Sequence, residues 1–307
     1  MRTFLAVVLS AATLGVPGYD PQSAVESGLR RTEAAGLRPA NLGAWDETPV
    51  NSNGCHVGWT VSTARLCRTG AGARTLVVAG DSHAAALYSA FKTWALKNRW
   101  TFVSVTKRGC PFVDVQSAEP TKAARGAIVP YPSCYAWRAD AMKKIRALEP
   151  DLVVLPLMSN RTLVKSGVES QWRAGIERTV SAVSEFSSVV AFGDDPLVKG
   201  DVPACLRRHH SAIQKCTTKY SYAVNSARLT LERAATKAGG GVFFDITEWF
   251  CTRKGCPASV EGVVVRRDDN HITDTFARFL ARYLSVALQE GVKNSAGRVR
   301  EGHSLSQ

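Results

Sequence analysis

The chain has 307 residues, 45% of them hydrophobic and 21% charged, a balance that excludes a disordered protein and a polytopic membrane protein. A net charge of +13 suits attraction to acidic wall polymers or anionic membrane surfaces, and equally an ordinary basic surface. The basic residues are scattered and accompany no zinc-finger, RNA-recognition or basic-zipper motif, so nucleic acid is a poor candidate partner.

Met1-Arg2-Thr3 and the apolar run Phe4 to Val16 read as a signal peptide or signal anchor over residues 1–18, or as the stub of a longer membrane region. Residues 19–73 lack a sustained period and are expected to be an extended lead-in stapled by Cys55 and Cys67. From Thr75 the texture changes to short apolar strands separated by helix-length segments. Strands are expected at 75–79, 101–105, 151–155, 188–192 and 241–244. Helices are expected after Ser82, from about Tyr135 to Leu148, Val168 to Phe186 and Ser221 to Ala238, and from Thr273 onward. This alternation predicts an α/β fold, a mostly parallel sheet with helices on both faces, over residues 74–290. The polar segment 291–307 is expected to be a disordered tail.

The eight cysteines fall as close sequential pairs, Cys55/Cys67, Cys110/Cys134, Cys205/Cys216 and Cys251/Cys256. An even count in an exported chain favours disulfides between these neighbours, although spacing alone leaves connectivity open. Zinc is a poor reading because no CxxC occurs.

Ligands in doubly wound sheets bind beyond the carboxyl ends of the strands, and four segments fall there. Gly80-Asp81-Ser82-His83 offers an exposed hydroxyl at a helix start, where Asp or Ser equally serves as a helix cap. Asp268-Asp269-Asn270-His271 offers an imidazole with an acceptor three residues earlier, or a plain surface turn. Gly109 offers a backbone N–H to a developing oxyanion, and Asn160 a side-chain amide, though both also suit ordinary loops.

Together these blocks resemble the SGNH (GDSL-like) hydrolase superfamily. The resemblance implies a three-layer α/β/α flavodoxin-like fold with a five-stranded sheet. It further implies a Ser82, Asp268, His271 triad and oxyanion donors at Ser82, Gly109 and Asn160. The usual Gly-x-Asn-Asp block is replaced by Met158-Ser159-Asn160-Arg161, which makes Asn160 the weakest match. Gly-Asp-Ser-His, Gly109-Cys110-Pro111, Cys134-x-x-Trp137-Arg138, Pro150-Asp-Leu-Val-Val154 and Cys256-Pro257 look more closely like the extracytoplasmic SGNH domain fused to acyltransferase-3 membrane proteins, the bacterial envelope O-acyltransferases.

That likeness implies an extracytoplasmic serine enzyme that moves an acyl group, expected to be acetyl, to a hydroxyl of a cell-envelope glycan through an acyl-serine. A membrane acyltransferase-3 protein would be the acyl-donating partner, and no metal or organic cofactor is required. A secreted carbohydrate esterase and a non-catalytic glycan-binding domain are the alternatives. Among other residues, His83 is expected to bond at the helix start, and Asp194-Asp195 to form a turn or hold a cation. Asp245 is expected to cap, and His56, His209 and His210 to be exposed; Trp94, Trp100, Trp137, Trp172 and Trp249 read mainly as core, with Trp137 the candidate for sugar stacking.

Overall fold

Strands that are apolar at every position need cover on both faces, and this requirement sets the architecture. The computed structural model describes residues 19–40, 48–158 and 162–294. In chain order the strands are β1 (His56–Val57), β2 (Cys67–Thr69), β3 (Arg74–Gly80), β4 (Trp100–Lys107), β5 (Leu152–Pro156), β6 (Ser188–Phe192) and β7 (Val242–Phe244). They form one sheet in the order β1-β4-β3-β5-β6-β7, with β2 also on β4. All pairs are parallel except β2–β4.

Alternate residues feed two cores. Leu76, Val78, Phe102, Leu152, Val154 and Phe192 pack with Phe91, Phe276 and Leu280 on one face. Val77, Ala79, Val103, Val105, Val153 and Leu155 pack with Trp137, Ile145, Ile176 and Val180 on the other. The outcome is the expected α/β fold of three layers, helix on sheet on helix.

The five expected strands correspond to β3 through β7, and the sheet adds two. β1 and β2 are only two and three residues long, too short to show a period, and they come from the lead-in. They share the outer edge of β4: β2 pairs antiparallel at Phe102–Ser104 and β1 parallel at Thr106–Lys107. The lead-in also departs from its extended expectation by containing a helix, Pro21–Arg30. Its signals were present in the sequence: Asp20 caps it, Pro21 occupies its first turn, and Pro21, Ala24, Val25 and Gly28 make one buried face. Gly28 is required there, because a Cβ would lie 1.9 Å from the Ser259 carbonyl oxygen.

Helices elsewhere begin and end close to expectation, at Pro132–Leu148 and Val168–Ser184, with two differences. The segment after Ser82 divides into Ser82–Ala86 and Tyr88–Lys97, and that near Ser221 into Tyr220–Ala223 and Ser226–Ala238. No helix among the described residues is long and apolar enough to cross a membrane.

All four disulfides join the sequential neighbours, Cys55–Cys67, Cys110–Cys134, Cys205–Cys216 and Cys251–Cys256. Cys110–Cys134 ties the turn after β4 to the Pro132–Leu148 helix across 24 positions. Replacing both by Ala is expected to cost about 3 kcal/mol, a loss that chemical denaturation of wild type and double variant would measure.

Candidate active site

Gly80 closes β3 where the chain turns into a helix with no room for a side chain: a Cβ there would lie 2.6 Å from that of Ala84. Asp81 serves as the helix cap, its Oδ1 accepting the His83 N–H at 2.9 Å. Capping by Asp81 leaves the half-buried Ser82 hydroxyl free for another partner. That partner is His271, whose Nε2 lies 2.9 Å from Ser82 Oγ across 189 positions of chain.

His271 is fixed by the loop that carries it. The hairpin β8 (Ser259–Val260) and β9 (Val263–Val264) turns through Glu261 and Gly262, both with positive φ, as a two-residue hairpin needs. Beyond it the chain closes a second loop. Arg266 bridges Ile272, the Arg267 N–H donates to the His271 carbonyl at 3.0 Å, and the Thr273 N–H donates to Val265 at 3.0 Å.

Inside this loop Asp268 accepts three N–H groups: Asn270 at 2.7 Å, the His271 backbone at 2.5 Å and His271 Nδ1 at 2.9 Å. A carboxylate only accepts, so Nδ1 carries the proton and Nε2 is free to accept from Ser82. Burial works to raise the Asp268 carboxyl, but the bonds and charge of His271 outweigh it and hold the group at about 2.

Gly109 follows β4, one strand from β3, with φ +57° in the turn that the Cys110 N–H closes onto the Lys107 carbonyl. A side chain there would meet the Trp59 ring at 2.4 Å and Pro120 at 2.6 Å. Asn160, the remaining sequence candidate, lies outside the described residues.

A second charged group, which the sequence had not joined, lies beside the first. His83 is buried, and its Nδ1 sits 2.7 Å from Asp194 Oδ1 and 2.8 Å from Asp195 Oδ1. The Asp195 carboxylate also pairs with buried Arg266, which donates to the Asn270 carbonyl at 2.7 Å. Burial alone would lower the His83 pKa, but the Asp194 and Asp195 charges raise it well above the usual imidazole value. The quartet is therefore two cations against two anions, and it links the residue after Ser82 to the residue before His271. The ligand atoms of His83, Asp194 and Asp195 lie within 4.8 Å of one another, a spacing that could also hold a metal ion, as the reading of Asp194-Asp195 as a cation site expects. A cavity of about 130 Å³, lined by Asp194, Asp195, Leu197 and Arg228, abuts the quartet; neither Ser82 nor His271 lines it.

Other expectations resolve differently. His56 is buried rather than exposed, its Nδ1 3.0 Å from Thr106 Oγ1. Desolvation, then the positive charges of Arg108, Arg267 and Lys107, push it down to about 3. Trp137 is fully buried in the second core and has no surface for a sugar. Asp245 accepts the Thr247 N–H at 2.9 Å as a local cap. His209 is partly exposed and His210 exposed.

The layered fold is a three-layer α/β domain whose candidate residues sit in turns past the carboxyl ends of parallel strands. A family model described as "SGNH domain (fused to AT3 domains)" matches residues 54–285, and the chain belongs to that family. In fold it is similar to the periplasmic domain of the lipopolysaccharide acetyltransferase of Salmonella ser. Paratyphi A. That likeness has 16% identity, covers 89% of this chain and 97% of that one, and has a TM-score of 0.56. More distant are the M. smegmatis aryl esterase and a family two carbohydrate esterase from Clostridium thermocellum. The former has 13% identity, 71% and 100% coverage of this chain and that, and TM-score 0.43; the latter 12%, 73% and 66%, and 0.41. Among curated proteins none matches the chain.

The His83 quartet has a testable pH signature. A His whose folded pKa is raised contributes stability fully below its unfolded value of about 6.5, and that contribution shrinks as pH rises toward the folded value. His83→Gln strands two buried carboxylates against one guanidinium and is expected to cost about 3 kcal/mol at pH 6. The gap in melting temperature between wild type and variant should narrow steadily as pH is raised above 7.

Proposed function

We propose that the chain is an extracytoplasmic serine O-acyltransferase that moves an acyl group, acetyl in the simplest case, onto a hydroxyl of a cell-envelope glycan. The observation that carries this reading is the row Ser82 Oγ, His271 Nε2, His271 Nδ1, Asp268 Oδ2, each link 2.9 Å. A binding module has no use for a hydroxyl aligned on an oriented imidazole, so the geometry favours chemistry over simple recognition.

In the first half-reaction His271 Nε2 takes the Ser82 proton and Oγ attacks the acyl carbonyl carbon. The Ser82 and Gly109 N–H groups are the proposed donors to the oxyanion, and Asp268 stabilises the imidazolium. Collapse of the tetrahedral adduct expels the donor's oxygen, which takes the proton from His271, and leaves an acyl-serine. In the second half a glycan hydroxyl gives its proton to His271 and attacks the acyl carbon, and Ser82 leaves with that proton. This chain's residues complete both halves without a metal or organic cofactor.

The family description, a domain found fused to AT3 domains, supports transfer and a membrane acyltransferase-3 partner as acyl donor. Four disulfides support a location outside the reducing cytoplasm. Water as acceptor in the second half would make the same site an esterase.

Ser82→Ala and His271→Ala are each expected to lower turnover of an acetyl ester on the order of 10³-fold or more, without loss of fold by circular dichroism. Intact-mass measurement of wild type with an acetyl donor should show one acetyl group on Ser82. Adding oligosaccharide acceptors should discharge it faster than water does. Discharge by water alone makes the protein a carbohydrate esterase, and the absence of any adduct returns it to the class of binding domains.

A further inference from the structure

The row of turns that carries Ser82 extends one strand further than the sequence suggested. Thr106 of β4 is level with Gly80 of β3 on one side and with His56 of β1 on the other. All three strands are parallel, so the residues just past each of them emerge at the same end: Ser82 after β3, Gly109 after β4 and Trp59 after β1. Two strand spacings, about 10 Å, separate β1 from β3, with the end of β4 and its Gly109 turn between them.

The Trp59 turn is tied at its backbone carbonyl, and its ring packs on the next strand's turn. Its ring lies against Gly109 so closely that a Cβ there would come within 2.4 Å of it. Its carbonyl accepts from Lys107 Nζ at 2.7 Å and from Ser133 Oγ at 2.7 Å, and the Tyr131 hydroxyl lies 3.0 Å away. Lys107 is buried to reach it, also donates to the Gly58 carbonyl at 2.7 Å, and lies 5.1 Å from the centre of the Tyr131 ring. Desolvation brings this lysine down to about 8. Removing an ammonium from water to clamp a tryptophan turn is costly, and the expense fits a part whose position matters.

Trp94, Trp100, Trp137, Trp172 and Trp249 are all buried. Trp59 is only partly so.

We propose that Trp59 is the wall on which a pyranose ring of the acceptor stacks while one of its hydroxyls is presented to Ser82. This rests on the acyl-transfer reading above and names the acceptor side of that site. The C–H face of a pyranose is apolar and meets the electron-rich face of an indole well, and a rigid ring loses little freedom on contact. The turn also joins the two functions physically: the same indole that would hold the sugar packs on the glycine whose N–H is the proposed oxyanion donor.

The test compares two acetyl esters, methyl tetra-O-acetyl-glucopyranoside, which carries the ring, and vinyl acetate, which carries none. Trp59→Ala is expected to lower kcat/KM for the sugar ester at least tenfold more than for vinyl acetate, chiefly through KM, and Trp59→Phe should recover most of that difference. Equal losses on both esters would reduce Trp59 to a prop for the Gly109 turn, and no selective loss would remove it from the acceptor site; either result overturns the proposal. Saturation-transfer NMR of the same sugar ester with Ser82→Ala reads the contact without turnover. Ring-proton signals that disappear in Ser82→Ala/Trp59→Ala support the stack even where wild type hydrolyses neither ester, the outcome that would count against the enzyme reading instead. Absence of those signals in Ser82→Ala overturns the stack itself.

Discussion

The parallel register of β1, β4, β3, β5 and β6 is the constraint on which the rest depends. Parallel strands of one sheet must all end at the same edge, and each must hand the chain to a turn there. Ser82, Gly109, Trp59, Asp194 and Asp195 all lie past one edge of the sheet for this reason, although they span positions 59 to 195 of the sequence. Hydrophobic burial on both faces holds the register, since a slip of one residue would exchange the Val77 and Val78 sides of β3 between two differently shaped cores. The geometry near Ser82 is thus a consequence of packing far from it.

The Asp268–His271 loop does not belong to that row and has to be brought to it. Its own closure by the Arg266–Ile272 bridge gives it shape, and the His83 quartet gives it place. A buried cluster with equal numbers of opposite charges is the form in which such a link is tolerable. Each ion removed from water finds a partner within hydrogen-bond reach, and no net charge remains to disturb His271, whose ring centre is 5.5 Å from that of His83. Lys107 shows the other solution. It has carbonyls and an aromatic face but no carboxylate within its bonds, and its ammonium is correspondingly weakened.

Much of the fold was legible because long apolar strands and amphipathic helices advertise themselves by period. So was the core of the site: Gly80-Asp81-Ser82 and Asp268-x-x-His271 each carry a local reason for their residue types, a sterically closed turn and a carboxylate that caps its own loop. What escaped were contacts without a local signature. His83 meets Asp194 across 111 positions, and nothing in either segment points to the other. β1 is two residues long, and its place in the sheet comes from an edge of β4 and a disulfide rather than from its own sequence. Trp137, a core candidate also singled out for sugar stacking, lies wholly within the second core.

The lead-in shows how such short pieces acquire a fixed position. Cys55–Cys67 closes the segment between β1 and β2, and both strands share one edge of β4, so the turn holding Trp59 is anchored at both ends by sheet and bridge. The register then fixes its depth: His56 is level with Thr106, and Trp59 is level with the turn at Gly109. A segment too irregular to fold alone thus acquires an ångström-scale position from β4, the same strand that positions β3 and therefore Ser82. That shared dependence ties the depth of the Trp59 turn to the strand that also sets the register of β3.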